Sequence, residues 1–354
     1  MTTYILKRLL LMPLMLLGIT VFSFLMIVLA PGTQGGGSED LRTGRITKQQ
    51  LEVMQRTFHI GKPWYMRYLY WLGALQPERT PEEIREHAAR GEKPPLRGIL
   101  FLDFGQSVHT PSISVATKIK DALPVTIVIS LICTFVIYSF AIPIGIYSAT
   151  HHNTLPDRIV TVVLFMLWSL PSFWVAVLLI SINLKFPEHL RLPIQGWLPS
   201  GAEELPTLTL LWKATLHLFL PVVASCYGGL AGISRYMRVG MLEVLRQDYI
   251  RTARAKGCGE RTVIYKHALR NSLIPIITLL GGLLPGLIGG SFIIETIFGI
   301  PGMGYLGYTA VLNRDYTLLM AEFTLSGVLV LVGILISDIL YVLVDPRISF
   351  EKGR

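Results

Sequence analysis

Six apolar runs set the limits on what this chain can fold into. They are Leu9–Ala30, Ala122–Ala149, Ile159–Leu184, Ala214–Ser234, Asn271–Ile294 and Phe323–Val344. A helix of roughly 17–25 apolar residues crosses the hydrocarbon core of a bilayer, and these runs are of that order. Composition agrees: 51% of residues are hydrophobic and 16% charged, where soluble domains carry about 25% charged. The expected class is an all-α integral membrane protein with six transmembrane helices. The first run follows Lys7-Arg8, as a signal peptide would. It is longer than such an apolar region, and Pro31 would follow any cut at Ala30, so it reads as a retained span.

Loop charge orients the spans. Short cytoplasmic loops carry an excess of Lys and Arg. Lys7-Arg8 places the N-terminus inside, and six crossings return the C-terminus inside, where Arg347, Lys352 and Arg354 outnumber Asp345 and Glu351. The loop Thr150–Arg158 carries Arg158 and two histidines. The interval Arg235–Arg270 is the most basic, with nine cations and three acids. Residues 31–120 hold thirteen basic residues against nine acids, which opposes an outside placement, but long loops translocate largely regardless of charge. The chain therefore divides into residues 1–30, the N-terminus and first helix; 31–121, a large extracytoplasmic segment; and 122–354, a five-helix domain containing the 235–270 loop.

Within the extracytoplasmic segment, Pro31–Ser38 is Gly-rich. Thr47–Leu75 has helical spacing through Leu51, Met54 and Phe58. Gln76–Arg97, with four prolines, looks like an insertion. The proline density of Lys185–Lys213 predicts an ordered loop between spans three and four.

Inside the basic interval, Glu243–Lys256 lacks Pro and Gly and is followed by Gly257 and Gly259, as a helix and its stop would be. A second helical stretch, Arg261–Leu269, leads back to the membrane. Small residues Thr252, Ala253 and Ala255 permit close approach of a partner, and Arg251, Arg254 and Lys256 offer charge to an acidic rim. On charge alone, a solvated helix that only satisfies orientation is the favoured reading.

The order of residues adds more. Asp248-Tyr-Ile-Arg-Thr-Ala-Arg-Ala-Lys-Gly257, followed by Lys266-His-Ala-Leu-Arg-Asn271, resembles the cytoplasmic loop of the membrane permease subunit of an ATP-driven (ABC) importer, of the oligopeptide/dipeptide permease family. Other stretches resemble the same family: Ala122-Leu-Pro-Val-Thr126, Ser291-Phe-Ile-Ile-Glu-Thr-Ile-Phe-Gly-Ile-Pro-Gly-Met-Gly304, Arg314-Asp-Tyr316, Ser337-Asp-Ile and Val344-Asp-Pro-Arg347. General importer permeases carry Glu-Ala-Ala where Arg251-Thr252-Ala253 stands here, a departure that the peptide branch shares.

The resemblance implies the ABC importer permease fold in a bacterial or archaeal cytoplasmic membrane. It implies a second homologous permease subunit, two ATPase subunits and an extracytoplasmic solute-binding protein as partners. It implies an ATPase-coupling loop of Tyr249, Arg251, Thr252, Ala253, Arg254, Ala255, Lys256 and Gly257, and a receptor-contact region in Phe298–Tyr316 with Gly302, Tyr305 and Tyr308. The substrate would be a peptide or peptide-like solute, with nickel or another non-peptide solute as the alternative.

Gly282, Gly286 and Gly290 recur every four residues in span five, a small-residue stripe suited to close helix packing. Asp338 and Glu295 are the acids nearest to membrane depth. Such groups usually face protein or water. For Asp338 a structural hydrogen bond stands beside a gating role, and Glu295 reads as interfacial. No Gly-x-x-x-x-Gly-Lys-Ser/Thr phosphate loop occurs, so ATP and Mg would belong to partner subunits and the chain is expected to be no enzyme. Cys133, Cys226 and Cys258 are far apart in sequence, without zinc spacing. The position of the cations beside spans points to a lipid membrane and away from nucleic acid. An ion-coupled carrier would need an ionisable relay in its spans, and Asp338 alone gives little of one.

Overall fold

The long apolar runs form helices in the computed structural model, which describes residues 2–29, 61–76, 96–110, 112–281, 286–287 and 289–344, together with 44, 47–49, 51–52, 55, 59, 85 and 89. The helices used below are α1 (Thr2–Val28), α2 (Trp64–Leu72), α3 (Val115–Thr150), α4 (Leu155–Ser169), α5 (Ser172–Asn183), α6 (Thr207–Leu245), α7 (Asp248–Ala255), α8 (Ile274–Gly281), α9 (Phe292–Ile297), α10 (Met303–Leu312) and α11 (Tyr316–Val344). Among the described residues the sole β contact is an isolated bridge between Gln106 and Ser114.

Four helices are individually long and apolar enough to cross a membrane, and five crossings result if α4 and α5 count as one. The third run is not a straight span: α4 and α5 meet at 100°. Leu170, which precedes Pro171, is extended at φ −82°, ψ 135°. The proline ring clashes with a helical residue before it, so the helix stops there. The fifth run is also interrupted. After α8, Gly286, Leu287 and Gly289 are also helical, and the break among the described residues falls at Gly290, which takes a left-handed φ of +62° before α9 begins. Gly282 and Pro285 lie outside the described residues. Residues Val115–Asp121, ahead of the second apolar run, form the first part of α3, which carries Pro124 and Pro143 without ending. Span four runs on from Ser234 to Leu245, and span six begins at Tyr316.

The chain forms two compact units. The first comprises residues 1–8, 123–305 and 329–354. Its axis is a parallel pair, α3 and α6. Cys226 Sγ lies 3.5 Å from Cys133 O. A Cβ on Gly229 would lie 2.6 Å from Ile137 Cδ1, and one on Gly145 would lie 2.7 Å from Ser234 O. Each contact joins residues about 92 positions apart, and partner numbers rise together, so the helices run the same way. Small residues let the backbones approach this closely. Parallel neighbours require one return crossing between them, and the bent α4–α5 pair, packed on α6, is the segment that supplies it. Cys133 and Cys226, distant in sequence, are thus buried neighbours with free thiols.

Two apolar clusters sit at the two ends of this pair. Val125, Ile129, Leu218, Val222, Ile294, Phe298 and Ile300 belong to one. Ile146, Ala149, Met237, Met241, Ile250, Val263, Ala268 and Ile276 form the other. The Lys185–Lys213 connection is ordered as expected: the Asn183 side chain donates to Leu192 O and accepts from Leu192 N, each at 2.9 Å. In the same unit Arg8 Nη1 lies 2.6 Å from Asp338 Oδ2, an ion pair without hydrogen-bond geometry at that oxygen. The sequence offered no cationic partner for Asp338 within another span. The partner comes from just ahead of the first apolar run.

The second unit comprises residues 9–122 and 306–328. Here α2 packs on α1. Phe24 stands edge-on to Tyr68 at 5.5 Å, and Tyr68 Oη meets Thr20 Oγ1 at 2.9 Å. Gln76 Nε2 donates to Arg97 O at 3.0 Å, and Arg97 N donates to Gln76 Oε1 at 2.9 Å. One amide side chain therefore closes the neck of the Gln76–Arg97 segment, whose interior lies mostly outside the described residues, as do Met54 and Phe58.

Candidate functional site

The basic interval folds as a short helix seated on the ends of longer ones. Long α6 reaches Leu245, Gln247 turns extended at ψ 148°, and α7 begins at Asp248. The helix expected over Glu243–Lys256 is therefore two pieces, with Glu243–Leu245 belonging to α6. Asp248 occupies the first turn of α7 and Arg254 the last, each complementing the helix dipole. The stop is a Schellman cap. Cys258 N donates to Ala253 O at 3.2 Å and Gly257 N to Arg254 O at 3.0 Å, with Gly257 at φ +80°. A residue with Cβ is strained in that conformation, which is the physical reason for glycine at this position.

One face of α7 is bonded to the core. Ile250 is fully buried between Met237, Met241, Val263 and Ala268, and Ala253 and Cys258 pack on the same cluster. The returning segment, Glu260–Thr262, a π-helical turn Val263–Ala268 and Leu269–Ser272, closes beneath it. Ser272 Oγ meets Met241 Sδ at 2.9 Å, and a Cβ on Gly240 would lie 3.2 Å from Ser272 O. Tyr249 Oη accepts from Asn271 Nδ2 at 2.7 Å. The opposite face is free: Arg251, Thr252, Arg254, Ala255, Lys256 and Gly257 are exposed. Arg254 is partly spent within the chain. Its Nε and Nη2 reach Glu260 Oε2 and Oε1 at 3.1 and 2.6 Å, and this guanidinium holds the Glu260 carboxyl below the usual carboxylate range. Both groups are open to solvent, so the pair is an orienting contact more than a stabilising one. Of the proposed contact residues, then, Ala253 faces inward and Ala255 outward.

A buried carboxylate, unremarked in the sequence, ties this end together. Asp157, 1% exposed, accepts from Arg238 Nε at 3.0 Å and Nη2 at 2.8 Å, from Asn153 N at 3.0 Å and from Ser148 Oγ. It joins the end of α3, the start of α4 and the last turns of α6. The Leu155-Pro-Asp-Arg158 string, with proline at a helix start, was the available signal.

Glu295 is buried within the protein, 4% exposed. Its carboxylate accepts from Tyr305 N at 2.9 Å, Thr126 Oγ1 at 3.2 Å and Ser291 N at 3.3 Å, while Thr126 Oγ1 accepts from Met303 N at 2.7 Å. Gly290, Gly302 and Gly304 wall this cage. A Cβ on Gly302 would lie 2.6 Å from Glu295 Oε2, and one on Gly304 2.6 Å from Phe292 N. Gly290 thus makes room for a carboxylate and is not part of a helical packing stripe; Gly286 has nothing within 4 Å. Gly302 is buried in the cage and presents no surface, whereas Tyr305 and Tyr308 are each 37% exposed.

In the second unit Asp315 does similar work. Oδ1 accepts from Val108 N at 3.0 Å and caps α11 through Leu318 N at 3.3 Å; Oδ2 accepts from Ser107 Oγ and lies 3.6 Å from Lys118 Nζ. The Ser107–Val108 turn and Arg314-Asp-Tyr316, about 207 positions apart, meet here.

Residues 141–350 match the model of the family described as "Binding-protein-dependent transport system inner membrane component". The chain is 37% identical over 354 residues to the oligopeptide transport system permease protein AppB of Bacillus subtilis (strain 168), covering 99% of this chain and 100% of that protein. It is 31% identical to the dipeptide transport system permease protein DppB of the same organism, over 99% of each chain. It is 33% identical to the oligopeptide transport system permease protein OppB of Haemophilus influenzae (strain ATCC 51907 / DSM 11121 / KW20 / Rd), over 99% of this chain and 100% of that one.

Proposed function

We propose, from the premise that this chain belongs to the family of binding-protein-dependent transport system inner membrane components, that it forms part of the pathway by which an ATP-driven importer takes up peptides. Relatives named for oligopeptide and dipeptide transport support that substrate class over nickel or another solute. In this reading the chain is a permease subunit. ATP hydrolysis belongs to two separate ATPase subunits, and a second permease subunit and an extracytoplasmic binding protein complete the assembly.

The observation that carries the reading is the seating of α7. One face is locked through Ile250 into the cluster formed by the ends of α3 and α6, and the other is exposed and cationic. An ATPase groove that grips the exposed face moves the ends of two apolar helices together. Only a contact that differs between two states biases the pathway, and a helix rigidly attached at its base transmits that difference. The topology proposed with it has six crossings, both termini cytoplasmic and residues 31–121 outside. The parallel course of α3 and α6 around the α4–α5 pair supports it.

The ion-coupled alternative loses its strongest residue, because Asp338 is paired with Arg8. The deciding experiment is uptake of a labelled peptide into proteoliposomes holding the full assembly and its binding protein. Uptake that requires ATP inside and stops when the ATPase subunits are omitted is expected. Uptake that persists without them and collapses with a protonophore would refute the reading.

A further inference from the structure

A cleft of about 710 Å³ opens among α3, α4 and α6, lined by Leu164, Phe165, Trp168, Arg235 and Arg238 among others, with no carboxylate in its lining. It is more than twenty times the ~30 Å³ share of a water molecule. Its character is split. One wall is apolar and aromatic, from α4. The other carries two guanidiniums one helical turn apart on α6.

These cations are differently placed. Arg238 is fixed: Asp157 and His152 occupy Nε and Nη2, and Nη1 has no protein partner among the described residues. Arg235 is exposed and has no carboxylate partner among the described residues. It rests 5.4 Å over the ring of Phe165. The cation–π contact orients its guanidinium without neutralising it. Trp168, 62% exposed, stands on the aromatic wall.

We propose that this cleft binds an anionic phospholipid, its phosphate between Arg235 and Arg238 and an acyl chain along Leu164, Phe165 and Trp168. Asp157 offsets the charge of Arg238, so the uncompensated charge is that of Arg235; it calls for an anion, to which Arg238 Nη1 can also donate, and the aromatic wall calls for hydrocarbon attached to it. A free anion would leave that wall wet. Arg235 opens the basic interval, directly after the apolar run Ala214–Ser234, and basic pockets between membrane helices are suited to anionic headgroups. The inference rests on the membrane reading above and not on the peptide substrate.

The test uses the full chain in nanodiscs with brominated-acyl phosphatidylglycerol or phosphatidylcholine, reading quenching of tryptophan fluorescence. The difference between wild type and Trp168→Phe isolates the signal from the cleft. Phosphatidylglycerol is expected to occupy the site about fivefold more tightly than phosphatidylcholine. Arg235→Gln should bring the two lipids to parity, and Arg235→Lys should keep most of the preference. Parity in the wild type, or an undiminished preference in Arg235→Gln, overturns the proposal. So does loss of the preference on adding millimolar inorganic phosphate, which marks a free-anion site. Displacement of the lipid by a short peptide also overturns it and assigns the cleft to substrate. Because the readout needs no uptake, a chain that imports peptides without this lipid preference refutes the lipid site alone. A chain with the preference but no ATP-dependent import refutes only the transport reading.

Discussion

Gly302→Ala is the sharpest test of the Glu295 cage. A Cβ at this position would sit 2.6 Å from Glu295 Oε2 and 2.7 Å from Cδ, and against Thr126 Oγ1. Ordinary contact begins near 3.4 Å, so Oε2 alone must give by about 0.8 Å, and Thr126 Oγ1 by more. Neither neighbour is the free end of a flexible side chain. Glu295 is held by Tyr305 N and Ser291 N, and Thr126 by Met303 N. Overpacking of a tight site costs about 1–3 kcal/mol. Displacing the carboxylate weakens hydrogen bonds to a charged acceptor, each contributing about 1.5–3 kcal/mol. With one such bond lost, the total is about 2.5–6 kcal/mol, and the melting temperature should fall by about 5–24 °C.

The native thiols provide the assay. Cys133 and Cys226 are buried in the cluster that also holds Ile294, Phe298 and Ile300, so a thiol-reactive fluorophore reports when that cluster opens. Cys258 is half-buried and should first be changed to Ser to remove background. Gly286→Ala is the control. It lies in the fifth apolar run, is helical, and has nothing among the described residues within 4 Å of an added Cβ. Its effect should stay within about 0.5 kcal/mol in either direction. A Gly302→Ala variant that melts within 2 °C of Gly286→Ala, on the order of 1 kcal/mol or less, would refute the cage as a stabilising element.

Three further outcomes are expected. Ala255→Asp, on the exposed face of α7, should leave the melting temperature unchanged yet cut ATP-driven uptake by more than tenfold, since an unpaired charge in an interface costs about 2–5 kcal/mol; normal uptake at normal expression would sink the docking role of that face. Ile250→Asp places a charge in the core beneath the same helix and should lower both thermal stability and membrane yield, so equal stability of the two variants would count against the seating of α7. Asp157→Ala leaves Arg238 half-buried without its counter-ion and should cost about 3–5 kcal/mol by the same thiol assay; a loss under 1 kcal/mol, about 2–4 °C, would mean the clasp is dispensable.

Hydropathy and order of residues carried a good deal of this protein. The long apolar runs became helices because hydrocarbon and buried protein both demand that backbone groups be satisfied within the segment. Gly257 as the stop of α7 was legible, since a left-handed cap is a local requirement that glycine meets without strain. The family was legible from Asp248–Gly257 and Ser291–Gly304, whose order is far more specific than their charge. Tertiary structure decided what depends on residues distant in sequence. It turned the third run through 100° at Leu170-Pro171, where composition reads one continuous span. It faced Ala253 inward and Ala255 outward, a choice set by which side of an eight-residue helix meets Met237 and Met241. It put Glu295 in a cage, Asp157 against Arg238 and Asp338 against Arg8, pairings separated by up to 330 positions. A buried carboxylate needs donors within about 3 Å, and a linear string does not say which loop or helix end will supply them. That is decided when the close approach of α3 and α6, at Gly145 and Gly229, fixes where the helix ends lie.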